Sequence, residues 1–264
     1  MGALALARVS QEELRHEILH TWESAQHSWV VPIHLGPLDI SINKAVWFLF
    51  IGAAITFLIL YFGARALKDR PGAYQVIVEE VYGFGRNFLG GQLGPEGMKW
   101  FPYTLSLFVF ILTLNLIGLI PNSYPVTSSI SFTMTLALIT FIITQYMGVK
   151  KNGPVTYLRS WTPPGVPFVM RPVLWFLHLV QEFSKPLTLG LRLYANILAG
   201  HLIIFVFLGL ILYFGALSVV PLLSVPMAVV FYAFEIFVAV IQAYIFAILT
   251  QVYIELAMNA GEEH

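Results

Sequence analysis

The chain has 264 residues, 58% of them hydrophobic and only 11% charged, with a mean hydropathy of +0.79 and a net charge of zero. A soluble protein would carry about 25% charged residues, so the composition excludes an ordinary soluble globule and specifies an all-α polytopic membrane protein whose elements are sized by the bilayer. There is no basic tract for nucleic acid, and the absence of cysteine excludes disulfides and thiolate metal sites.

Residues 1–43 form a polar arm with His16, His20, His27 and His34. Their spacing fits one helical face, but no carboxylate or thiol completes a metal set. The arm therefore reads as a solvated amphipathic segment, and neither a metal nor a cofactor is expected. No basic stretch precedes its short apolar run, so a cleaved signal peptide is not expected. The first span covers about 45–66 and ends in Arg65, Lys68 and Arg70. Basic residues gather on the cytoplasmic side, which puts the arm outside. Pro71 and Gly72 break the helix. Residues 73–89 set Val76, Ile77, Val81, Phe84 and Phe88 against Glu79, Glu80 and Arg86; this pattern is too charged to span and predicts an interfacial helix on the cytoplasmic face. Residues 90–99 read as a loop.

The next spans cover about 101–120 and 130–149, joined by an uncharged connection. Asn115, at the end of the second span, and Thr127, Ser128 and Ser129 in the connection read either as a wet outer entrance or, for the hydroxyls, as a solvated turn. The following loop carries Lys150, Lys151, Arg159 and Arg171 and no acid, which places it inside; Pro163, Pro164 and Pro167 predict a stiff, non-helical path. Two long apolar helices follow, about 172–212 and 222–258, with Pro186 able to kink the first. Each is roughly 37 residues, or about 55 Å, against a hydrocarbon core of about 30 Å. A steep tilt, beyond about 40°, reconciles the two lengths. The expectation is one membrane domain over 44–264 with five spans, the N-terminus outside and the C-terminus in the cytoplasm. No internal repeat supports an inverted-repeat transporter.

Arg192 stands in the middle of the first long helix. A charge at that depth costs about 2.5 to 17 kcal/mol depending on the reference state, and a guanidinium cannot shed its proton to reduce the cost. It therefore faces a polar partner and has a task. At about 100° per residue, Lys185, Thr188, Asn196, Gln181 and His178 lie within about 40° of it on one polar stripe, Glu182 lies about 80° away at the stripe's edge, and His201 lies opposite. On the second long helix Glu235 and Gln242 share a face. In an antiparallel hairpin His201 and Glu235 can meet on the outer side, a pairing able to relay protons. Gln242 comes within reach of Asn196. His178, Gln181 and Glu182 fall on the inner side. His178 and Glu182 also suit a simple structural pair, and Lys185 suits snorkelling to the interface. Two polar clusters separated by a permanent cation cannot leak a proton straight through, whereas a mobile carboxylate on another subunit connects them. Gly190, Ala195, Ala199 and Gly200 allow a close helix, in another subunit or in ordinary packing.

The runs SKPLTLGLRLYANILAGH and FEIFVAVIQAYIFAILTQVY, with NLIGLIP earlier, resemble subunit a of the membrane (Fo) sector of F-type ATP synthases, over about residues 36–258. The resemblance implies that Arg192 is the family's essential arginine, that Asn196, His201, Glu235 and Gln242 serve proton translocation with it, and that Asn115 and Ser128 are candidates for the outer entrance. Some members carry an aspartate at Gly118, so an acidic entrance is absent there; many carry a glutamate at His178, so the inner exit is left to His178, Glu182 or water, with Gln181 a further candidate beside them. The function implied is a non-catalytic, proton-translocating stator of a rotary motor, with two offset half-channels serving carboxylates of a c-subunit ring. The implied partners are that ring, the peripheral-stalk b subunits and the rest of the ATP synthase. A bacterial plasma (inner) membrane suits a retained arm without transit-peptide composition. Two rival readings make different demands: a stand-alone secondary ion-coupled transporter requires transport by the isolated chain, and a structural scaffold requires that His201 and Glu235 be dispensable for ion flux.

Overall fold

The computed structural model describes residues 34–35, 38–39, 43–65, 76, 79–80, 82–83, 85–86, 97–120, 123–162, 165–214 and 220–261. His34–Leu35 (β1) and Leu38–Asp39 (β2) form a short antiparallel pair. All the remaining regular structure among the described residues is helical: α1 (Lys44–Arg65), α2 (Phe101–Leu119), α3 (Ile130–Asn152), α4 (Pro154–Ser160), α5 (Arg171–Phe214) and α6 (Val220–Asn259), with single 3-10 turns at Gly97–Trp100 and Val126–Ser128. Five of these helices are long and apolar enough to cross a membrane. His16, His20 and His27 lie outside the described residues.

The core shows why these segments pack as they do. Phe101, Leu105, Phe108 and Ile111 of α2 meet Ala137 of α3, Leu189 and Leu193 of α5, and Ala243, Phe246 and Ala247 of α6. The alanines let the helix backbones approach, and close packing, not water expulsion, drives association in lipid. The buried threonines of α3 and α6 return their hydroxyls to their own helix: Thr140 to Leu136 O, Thr144 to Thr140 O and Thr250 to Phe246 O. α1 packs on α2, where Gly52 receives the Leu114 side chain, and it exposes Trp47, Phe50, Phe57, Tyr61 and Phe62.

The two long helices run 44 and 40 residues without interruption. Pro186 and Pro226 lie inside them, as membrane helices tolerate when neighbouring groups satisfy the freed carbonyls. α5 and α6 pack against each other as an antiparallel pair, and both contact α3. Of the interfacial segment, Val76, Glu79, Glu80, Tyr82, Gly83, Gly85 and Arg86 are described and helical. Tyr82 sets its ring edge-on to Phe101 at 5.2 Å, and Gly85 is buried against Phe101 and Leu105.

Two local expectations are corrected. The loop after α3 is not wholly non-helical. Gly153, at φ 77°, ends α3, and Pro154 then starts the short helix α4, because proline at the first helical position has its φ preset and no hydrogen bond to lose. The uncharged connection is not a solvated turn either. Its 3-10 turn contacts α1, α2, α3 and α5, and Thr127 and Ser128 are buried. A segment without charge costs less to fold back into the bundle than a charged one, and Ser128 keeps its hydroxyl bonded to Pro125 O, 2.7 Å away.

Candidate functional site

The bundle has a basic end, where α3 stops at Lys150 and Lys151 and α5 begins at Arg171, and an uncharged end at the 3-10 turn Val126–Ser128. α5 runs from the first to the second and α6 returns. Leu189, Leu193 and Ile197, spaced four apart, are buried and fix the inward face of α5. Arg192, Ala195 and Ala199 consequently point out of the bundle and are exposed. Arg192 makes no ion pair with any described carboxylate. Gly190 and Gly200, expected to receive another helix, receive this chain's own side chains. A Cβ at Gly190 would stand 3.0 Å from Met134 Sδ of α3, and one at Gly200 would stand 2.5 Å from Glu235 Oε1.

The expected polar stripe divides. Gln181 and Thr188 are exposed, and Gln181 joins none of the contacts that follow. Asn196 turns toward α6, where its Nδ2 donates to Gln242 Oε1 at 2.8 Å. His178 and Lys185 turn toward Glu182, which is buried. The division arises because α3 packs against α5 on the side where Glu182 sits, converting the stripe's edge into its centre.

Toward the uncharged end, about 13 Å beyond Arg192 along the helix, His201 Nδ1 lies 3.6 Å from Glu235 Oε1. Two bonds from α2 clasp α6 on either side of Glu235: Tyr232 Oη donates to Leu119 O at 2.8 Å, and Asn115 Nδ2 donates to Ala239 O at 3.2 Å. Asn115 is thus a tie between helices as well as a polar group at this end. The buried polar atoms that lack a hydrogen-bond partner among the described residues include Asn115 Oδ1, Thr127 Oγ1, His201 Nε2, both Glu235 oxygens and Gln242 Nε2. These lie level with Arg192 or beyond it toward the uncharged end, while a further such atom, Trp161 Nε1, lies at the basic end. Buried groups of this kind are costly without a partner, and their grouping gives several points at which water can bind.

Toward the basic end, about 15 Å from Arg192, Glu182 is a hub. Its Oε1 contacts Lys185 Nζ and lies 3.4 Å from His178 Nε2, and its Oε2 accepts from Gln145 Nε2 at 2.7 Å. Gln145 Oε1 accepts from Tyr157 Oη at 3.0 Å. Burial, reinforced by the Glu182 carboxylate, pushes the Tyr157 phenol up to about 12, so the hydroxyl remains a donor at any physiological pH. Lys185 also lies over the Tyr253 ring, 5.3 Å from its centre, so it is engaged within the bundle and does not simply snorkel. Thr140, Thr144, Glu182, Lys185 and Tyr253 line a small cavity beside this hub.

Gln145, Tyr157 and the buried Thr104–Gln251 contact between α2 and α6 were not singled out by sequence reasoning. For Gln145 a signal existed, an amide within an apolar span; for Tyr157 none did, since its loop read as non-helical. Among the described residues no three metal-binding side chains gather.

A family model described as ATP synthase A chain matches residues 46–255. The chain belongs to the ATP synthase A chain family. It is similar to the ATP synthase subunit a of Rubrobacter xylanophilus, 70% identical over 258 residues, 97% of this chain and 99% of that one. It also resembles the subunits a of Rhizobium rhizogenes, 36% identical over 88% of this chain and 94% of the relative, and of Rhodopseudomonas palustris, 36% identical over 86% and 92%. As a member of the ATP synthase A chain family it is a multi-pass membrane subunit of that assembly, which sets aside the stand-alone transporter.

Proposed function

We propose that this chain is the non-catalytic, proton-translocating stator subunit of a rotary F-type ATP synthase, and that Arg192 separates two half-channels in it. The observation that carries this reading is the position of Arg192: exposed on the outward face of α5, unpaired with any carboxylate among the described residues, and between polar clusters on its two sides. A rotor carboxylate arriving opposite Arg192 completes the missing pair, and the guanidinium favours release of its proton. Ala195 and Ala199 beside it leave room for the rotor helix.

In this reading the uncharged end is outside. Protons pass Asn115 and Ser128 at the entrance, reach His201 and Glu235, and load the c-ring. Asn196 and Gln242 hold the polar face beside Arg192. After rotation, protons leave by way of His178, paired with Glu182, at the basic, cytoplasmic end, with Gln181 lining the exposed side of the same exit. The Lys185–Glu182 pair cancels the nearest other cation of α5, so Arg192 is left as an uncompensated positive charge on the rotor path. The excess of Lys and Arg at one end supports an N-terminus outside and a C-terminus in the cytoplasm of a bacterial plasma membrane, with residues 1–43 as an external arm and 44–264 as one membrane domain. The c-ring, the peripheral-stalk b subunits and the rest of the synthase are its partners.

The deciding experiment purifies the chain with its partners and reconstitutes them in vesicles. A small ring protein with an intramembrane carboxylate co-purifies, and ATP drives proton uptake that a pH-sensitive dye reports. A purified chain that translocates ions without any ring protein refutes the proposal.

A narrower expectation concerns Gly200. The added methyl of Gly200→Ala would stand 2.5 Å from Glu235 Oε1 and displaces that carboxylate from His201. Misplacing a reacting group by about 1 Å can cost about a hundredfold, so pumping should fall by about ten- to a hundredfold in a complex that still assembles. Dye quenching together with the subunit content of the purified complex checks this; full pumping would detach the position of Glu235 from function.

A further inference from the structure

Gln145 and Tyr157 have no part in the proton path described above, yet they complete the surroundings of its most buried cytoplasmic-side group. Three helices converge on Glu182: α5 carries it and supplies His178 and Lys185, α3 supplies Gln145, and α4 supplies Tyr157 through Gln145. Each carboxylate oxygen already has a donor. A proton arriving at Glu182 would therefore have to displace Lys185, His178 or Gln145.

An amide can present its oxygen or its nitrogen to a given neighbour. The Tyr157 hydroxyl donates to Gln145 Oε1 and so directs the Gln145 NH2 toward Glu182. Tyr157 is itself fixed. It is buried, its ring lies against Gly148, where a Cβ would stand 2.5 Å away, and it meets Trp161 edge-on at 6.0 Å. Trp161 in turn lies over His178, with ring centres 5.1 Å apart. His178 is partly exposed, at 34%, whereas Glu182 is at 5%.

We infer that Gln145 and Tyr157 are positioning residues of the cytoplasmic exit: they hold Glu182 against Lys185 as a fixed anchor, and the anchored carboxylate orients His178, which exchanges the protons. This rests on the proposed assignment of the basic end as the exit. The groups that face His178 and its anchor are Lys185 on α5, Gln145 on α3, Tyr157 on α4, Trp161 just after it, and Tyr253 on α6, whose ring takes Lys185.

The test uses the whole synthase in vesicles and measures ATP synthesis while pH is varied on one side and held on the other. Tyr157→Phe removes the hydroxyl and keeps the ring. It should lower the rate about two- to tenfold, the effect of one hydrogen bond, and change the response to cytoplasmic-side pH while the response to outer pH stays as in the wild type. In a Gln145→Met background the same change should have no further effect, because Tyr157 acts through Gln145. The inference is overturned if Tyr157→Phe scales both pH responses equally, as loss of assembled complex would, or if its effect persists undiminished without Gln145. If His178→Ala leaves the cytoplasmic-side response unchanged, the exit assignment itself falls, whatever Tyr157→Phe does.

Discussion

Replacing Arg192 by alanine should reduce ATP synthesis and ATP-driven proton pumping to background. The two polar clusters flank a position that no other described cation occupies, since Lys185 is taken by Glu182 and the Tyr253 ring. With a methyl in its place, nothing favours proton release from a passing carboxylate, and nothing keeps a proton from crossing between the clusters. Dye-monitored pumping and synthesis in reconstituted vesicles measure both losses. Arg192→Lys should recover only a small part of the activity, because an ammonium on a flexible stem lacks the planar fork that matches a carboxylate. Full coupled activity in Arg192→Ala would remove the basis of the proposed mechanism.

Glu235→Leu should lower proton translocation by about a hundredfold or more, within the roughly 10²–10⁴-fold that a positioned proton-transfer group supplies. Glu235 is held between two bonds from α2 and faces His201 at 3.6 Å, so the pair should act as one unit. His201→Ala added to Glu235→Leu should then cost much less than it does alone, as contacting groups are not additive. Proton flux in the four combinations gives the coupling directly. Strictly additive losses would show that the two side chains act separately, and undiminished flux in both single variants would revive the scaffold reading.

The long hairpin was legible because α5 and α6 are apolar for many turns and are separated in the sequence by an uncharged stretch. The meeting of His201 with Glu235, and of Asn196 with Gln242, followed from counting residues along two antiparallel helices. Both pairs lie within that one hairpin, where helical periodicity determines which side chains face each other. The hub at the basic end was less legible. Angles about α5 put Glu182 at the edge of a stripe centred on Arg192, but its surroundings depend on where α3 lies, and periodicity says nothing about that. Gln145 reaches Glu182 only because α3 packs alongside α5. Tyr157 reaches Gln145 only because Gly153 and Pro154 turn the chain into α4. Burial of Thr127 and Ser128 was missed for a related reason: hydroxyls in an uncharged segment fit either solvent or a packed turn, and four neighbouring helices decide it.

The outward set of Arg192 also bears on how the assembly is built. Until a rotor helix arrives, the guanidinium faces lipid, at about 2.5–3.5 kcal/mol on insertion scales for a charge at the helix centre. Docking against a rotor carboxylate would relieve that load, so the residue proposed to insulate the two half-channels would also favour association with the ring. A copy left without its rotor keeps a charge on its lipid-facing surface. That gives the membrane a chemical basis for distinguishing unassembled from assembled subunits.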